Sequence, residues 1–138
     1  MQMTDGEAIE FLRRIAVPEG PHSGYTVEGY EVRTHPDLVE RLRKLGEYAP
    51  GSKFVYTFGT PTLRTEGGRV FAIATGSSSL HLRLERNSGW GRPHEELAEP
   101  WRQGSAWKMG GPQSRTDEES LAEMVRSAFA SAVNYRDS

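Results

Sequence analysis

Between Lys53 and Glu85 the chain changes from a helical repeat to a two-residue repeat, and this run decides the class of fold. Phe54, Tyr56 and Phe58 alternate with Val55 and Thr57, which is the periodicity of a strand. The stretch TPTLRTEGGRVFAIATGSSSLHLRL then divides into three short strands, at Glu66-Gly67-Gly68 and at Gly76 with its serines. Both breaks have hairpin-turn composition. Pro61 belongs at a strand start or on an edge, because it has no N–H to give to a ladder. SAWKMG is expected to rejoin the sheet as a further short strand after a loop over 86–104. An antiparallel sheet of about five strands is therefore expected over 53–110.

Helix signals flank this sheet. Thr4 and Glu7 have capping-box spacing, and Ala8, Phe11, Leu12 and Ile15 follow on one face, so a helix is expected over 5–17 that stops before Pro18. THPDLVERLRKLG predicts a second over 36–46: Thr34 or His35 caps it, Pro36 sits in its first turn and Gly46 ends it. Thr116 and Glu119 repeat the capping-box spacing. Leu121, Met124, Val125, Ala128, Phe129, Ala132 and Val133 then form an apolar stripe over 117–135. The expected fold class is α+β, one domain over 1–138, with the N-terminal helices and the long C-terminal helix packed on one face of the sheet.

Composition removes several kinds of chemistry. The chain has 138 residues and no cysteine, which excludes disulfides, thiolate nucleophiles and cysteine-bound zinc. Seventeen basic and nineteen acidic residues leave a formal charge of −2, so nothing draws the whole chain to phosphate backbones. No apolar run is long enough to cross a bilayer, and the N-terminus has neither the basic start nor the apolar block of a signal peptide. A cytoplasmic protein is expected. The four histidines, at 22, 35, 81 and 94, contain no His-x-x-x-His pair, and no metal or cofactor is expected.

Candidate site residues concentrate in SSSLHLRLERNSGWGRPHEELAEPW. Leu80, Leu82 and Leu84 share one side of a strand, and His81 and Arg83 share the other. If helices cover the leucines, the His81 row faces solvent or a partner, as one side of an antiparallel sheet commonly does. Trp90 and His94 lie in the loop that follows. Arg115 stands before the last helix, where helix N-termini favour anions, although Asp117, Glu118 and Glu119 already bring negative charge there. The expected ligand or partner surface is His81, Arg83, Trp90, His94 and Arg115, and His81 and His94 are the candidates for a general base. GSSS could cradle an anion through backbone N–H groups, although a hairpin turn accounts for the same residues.

The order of FVYTFGTPTL, GGRVFAIATGSSSLHLRL, SAWKMGG and a closing helix ending in Tyr135 resembles the small α+β domains of the TfoX N-terminal and YjbR (MmcQ-like) group. The resemblance covers about residues 50–135. It implies a compact helix-and-sheet fold and roles in regulation or macromolecular binding, and it carries over no functional residue. This chain departs from that group in lacking a basic character and in its longer loop with Trp90, Pro93 and His94. The leading expectation is a non-catalytic binding or protein-interaction module with a protein partner or a second copy of the chain. A small hydrolase or transferase with a histidine base comes second, and nucleic-acid binding through arginines beside aromatics third.

Overall fold

The computed structural model describes residues 6–77, 79–84, 92–93, 107–110 and 118–134. The chain forms helix α1 (Gly6–Ile15), a small hairpin of β1 (Thr26–Val27) and β2 (Tyr30–Glu31), and helix α2 (Pro36–Leu45) with a 3-10 turn at Gly46–Tyr48. The sheet follows as β3 (Lys53–Thr57), β4 (Thr60–Arg64), β5 (Val70–Thr75), β6 (Ser79–Arg83), β7 (Arg92–Pro93) and β8 (Trp107–Gly110), and helix α3 spans Glu118–Asn134. The main sheet has the order β3-β4-β5-β6-β8-β7. All its pairings are antiparallel, so the α+β class holds, and the strand expected from SAWKMG rejoins the sheet beside β6.

One face of the sheet carries the larger core. The register pairs Leu63 with Ala72, Ala72 with Leu82, and Ala74 with Leu80. These residues meet Leu38, Leu42 and Leu45 of α2 and Leu121, Val125, Ala128 and Ala132 of α3 in a single buried cluster. Each leucine closed off from water there stabilises the fold by roughly 1.5–3 kcal/mol. The leucine face is thus covered as its alternation predicts, and α2 and α3 share it. The α3 stripe is true for most of its length, although Val133 is half exposed at its end. Arg69 donates from Nη1 to the Ala132 carbonyl (2.9 Å), satisfying an orphan acceptor in the last turn of α3.

Helix α1 departs from the expectation that all helices lie on one side. Its Ala8 and Leu12 pack with Val70 and Ile73, which belong to the opposite face of β5. Ile73 pairs with His81, and the Phe11 ring lies 5.3 Å from the His81 ring. Strands β5 and β6 are therefore covered on both sides. Among the described residues no helix is long and apolar enough to cross a membrane.

Local chemistry sets the connections. His35 is the α2 N-cap, accepting the Asp37 N–H at its Nδ1 (3.0 Å), with Pro36 just inside the helix. The two tight hairpins both use a residue followed by glycine in the left-handed region: Glu28-Gly29 (φ +53 and +90) and Phe58-Gly59 (φ +52 and +86). This is the geometry of a primed turn, whose twist matches that of the strands. At Gly59 space is restricted as well, because an added methyl would land on the Glu31 carbonyl and 2.9 Å from Tyr30 Cβ.

Gly59→Ala should therefore destabilise the protein more than Gly51→Ala. Gly51 has a similar φ of +93, but nothing stands within 4 Å of an added methyl. The conformational penalty alone is about 1–2 kcal/mol, and Gly59→Ala should exceed it. Urea unfolding of both variants measures the difference, and equal losses would show that the turn does not press on β2.

Candidate functional site

A cleft of about 370 Å³ opens where the β1–β2 hairpin, the start of α2 and one end of the main sheet meet α1. Its origin lies in Pro61. Thr57–Thr60, Val55–Thr62 and Lys53–Arg64 pair across β3 and β4, so the alternate residues Pro61 and Leu63 turn their backbone groups toward β5. Leu63 pairs with Ala72, but the register does not reach Pro61, which has no N–H to offer the Ala74 carbonyl. Thr34 takes the vacant place: its hydroxyl donates to Ala74 O (3.0 Å), and the His35 N–H donates to Gly76 O (2.8 Å). The segment entering α2 thus docks on the end of β5. Thr34, Thr60, Thr75 and Gly76 are left lining a polar floor.

The hairpin supplies the charged rim. Glu31 N–H donates to Val17 O and Glu19 N–H to Gly29 O, both at 2.8 Å, so the 17–19 segment anchors β2. Ring contacts hold the hairpin on the sheet: Tyr30 meets Phe58 at 5.5 Å, and Tyr25 meets Tyr56 at 6.4 Å. Glu31 Oε2 accepts from the Ser23 hydroxyl (2.7 Å), and Arg33 Nε lies 3.9 Å from Glu31 Oε1. The Arg33 side chain is 70% exposed and that of Glu31 28%. Such a pair contributes little to stability, which leaves both charges free to meet a ligand. Phe11 and Ile15 of α1 form the apolar wall.

His81 lies directly behind this floor, contrary to the expected outward row. It is 3% exposed and Arg83 is 7% exposed, so neither side chain belongs to an open sheet face. Two facts account for the correction. Strand β6 is interior, flanked by β5 and β8, and α1 covers its second side through Phe11. Burial of the imidazole is tolerated because Nε2 shares a hydrogen bond with the Thr75 hydroxyl at 2.9 Å. Trp90, His94 and Arg115 lie outside the described residues.

Among the described residues the cleft thus combines one carboxylate, one guanidinium, three hydroxyls and an apolar wall, and His81 adjoins it through Thr75 and Phe11. Of these residues the sequence reading singled out His81 and the Gly76 turn. Glu31, Arg33 and Thr60 carry no motif, and Thr34 stands out only as a candidate helix cap. The one hint was Pro61, whose missing donor implies that something else must satisfy its neighbour. Among the described residues no group of three or more His, Asp or Glu side chains could hold a metal ion.

Tyr56 adds an electrostatic signature of hairpin docking. Burial first, then the neighbouring Tyr25 phenol and its hydrogen bond, hold the Tyr56 hydroxyl above the ordinary tyrosine range, while Arg43 opposes the shift. The fold therefore favours the neutral phenol.

Two outcomes are expected. Thr75→Val leaves a buried imidazole nitrogen with one partner fewer and should lower unfolding free energy by about 1–3 kcal/mol; a urea-measured change under about 0.5 kcal/mol would exclude the pair. The Tyr56 contribution is fully present below the unfolded-state pKa of about 10 and is lost as pH rises through its higher folded value. Unfolding free energy measured at pH 8 and above pH 10 should thus fall more for the unmodified protein than for Tyr56→Phe, and parallel falls would contradict it.

Comparison with known proteins gives no match: no family model, curated protein or solved structure is similar enough to this chain to count as a relative.

Proposed function

We propose that this chain is a non-catalytic binding module, cytoplasmic and regulatory in role, and that the cleft between the hairpin and the sheet takes its ligand. The observation that carries this is the character of the lining. Its polar groups are a carboxylate, a guanidinium and threonine hydroxyls, beside an apolar wall. Small-molecule sites share this composition, an apolar surface with a few fixed polar groups, and begin at roughly 300 Å³. Among the described residues that line the cleft there is no histidine to exchange protons near neutral pH. A regulatory role also agrees with the resemblance to the TfoX and YjbR domains.

A second reading, a small hydrolase or transferase, rests on the Thr75–His81 hydrogen bond. There His81 would act as general base to the Thr75 hydroxyl, whose oxygen faces an acyl substrate in the cleft.

Amide NMR spectra recorded against a library of small polar molecules separate the two. For the binding module, some compounds should shift the Thr34, Thr75 and Gly76 signals in saturable fashion, and Gly76→Trp should abolish the effect. Shifts confined to other surfaces would refute it. An activated ester should leave the protein mass unchanged; a stable acyl adduct lost in Thr75→Val would favour the enzyme.

A further inference from the structure

We infer that the cleft is shaped for a free α-amino acid with an apolar side chain, a deeper reading that rests on the cleft being the binding site. Glu31 and Arg33 stand side by side at the rim, 3.9 Å apart, and the Ser23 hydroxyl fixes the Glu31 carboxylate from behind. A ligand with only a negative charge would approach Arg33 and meet Glu31 at the same distance. One with only a positive charge would meet the reverse. Neighbouring charges of opposite sign are complemented by a molecule that carries both on a single carbon, its ammonium beside Glu31 and its carboxylate beside Arg33.

The rest of the cleft fits the same molecule. The Thr34 hydroxyl spends its proton on the Ala74 carbonyl, so toward the cleft it offers lone pairs, which suit an ammonium donor. Ile15 is 37% exposed beside Phe11 on the apolar wall, where a hydrocarbon side chain would cover it. The volume of about 370 Å³ is at the small end for ligand sites and suits a monomer.

Isothermal titration calorimetry of the full chain with L-leucine, 4-methylpentanoate and 3-methylbutylamine tests this, because the last two keep the hydrocarbon and lose one charge each. L-Leucine should bind saturably, and each analogue at least about tenfold more weakly. Glu31→Gln should erase the preference for leucine over 4-methylpentanoate, and Arg33→Gln the preference over 3-methylbutylamine. Thermal melts check that both variants fold; if one does not, the ligand series on the unmodified chain decides. Analogues that bind as tightly as leucine, or leucine binding that both variants leave intact, would overturn the inference. If leucine fails while other small molecules shift the Thr34, Thr75 and Gly76 amides, the amino-acid assignment falls and the cleft remains a binding site. If nothing shifts those amides, both fall.

Discussion

The molecule depends on the central strands β5 and β6 being sealed from water on both sides. Val70 to Ala74 are all buried, and so are Leu80 to Leu84, whichever way each side chain points. Helices α2 and α3 close one face over the leucines, and α1 closes the other over Ile73 and His81. An antiparallel sheet need not be built this way, because one wet side is common. Sealing it raises the apolar area removed from water, but it commits every polar group on the second face to a protein partner. His81 meets that demand through Thr75. An unmade hydrogen bond there would cost about as much as a buried leucine gains.

The cleft follows from a gap in that construction. Proline at position 61 ends the pairing of β4 with β5 short of the strand end, and a hydroxyl from the loop before α2 completes it. A side chain is a smaller plug than a strand, so space remains above Thr60, Thr75 and Gly76. The hairpin then swings Glu31 and Arg33 over that space, held by rings on either side of its strands. A substitution in the Phe58-Gly59 turn would therefore be felt at the Glu31 carboxylate.

How far the sequence was legible can be judged from particular segments. The leucines of β6 and the stripe of α3 showed their buried face because both are periodic and apolar. A cap at Thr34 or His35 declared itself for a similar reason, since capping is local chemistry, and the structure gives the role to His35. His81 misled because alternation separates two faces without saying whether the polar one is wet. The correcting signal lay one strand earlier: Val70-Phe71-Ala72-Ile73-Ala74 does not alternate at all, as expected of a strand with helices on both sides. The cleft was illegible because it joins Glu31, Thr34, Thr60 and Thr75, each unremarkable alone, through a vacancy at Pro61 that only the register discloses.

Phe58 is an aromatic residue in the left-handed region, where glycine or asparagine would be expected. Its ring keeps it there: Tyr30 packs edge-on against it, the Arg13 guanidinium lies 5.7 Å from its centroid, and it borders the cluster of Ala8 and Leu12. Releasing this tight corner means releasing α1 and the small hairpin at the same moment. These three segments, distant in sequence, therefore form one cooperative unit, and their slowest amide protons should exchange with solvent at a common rate.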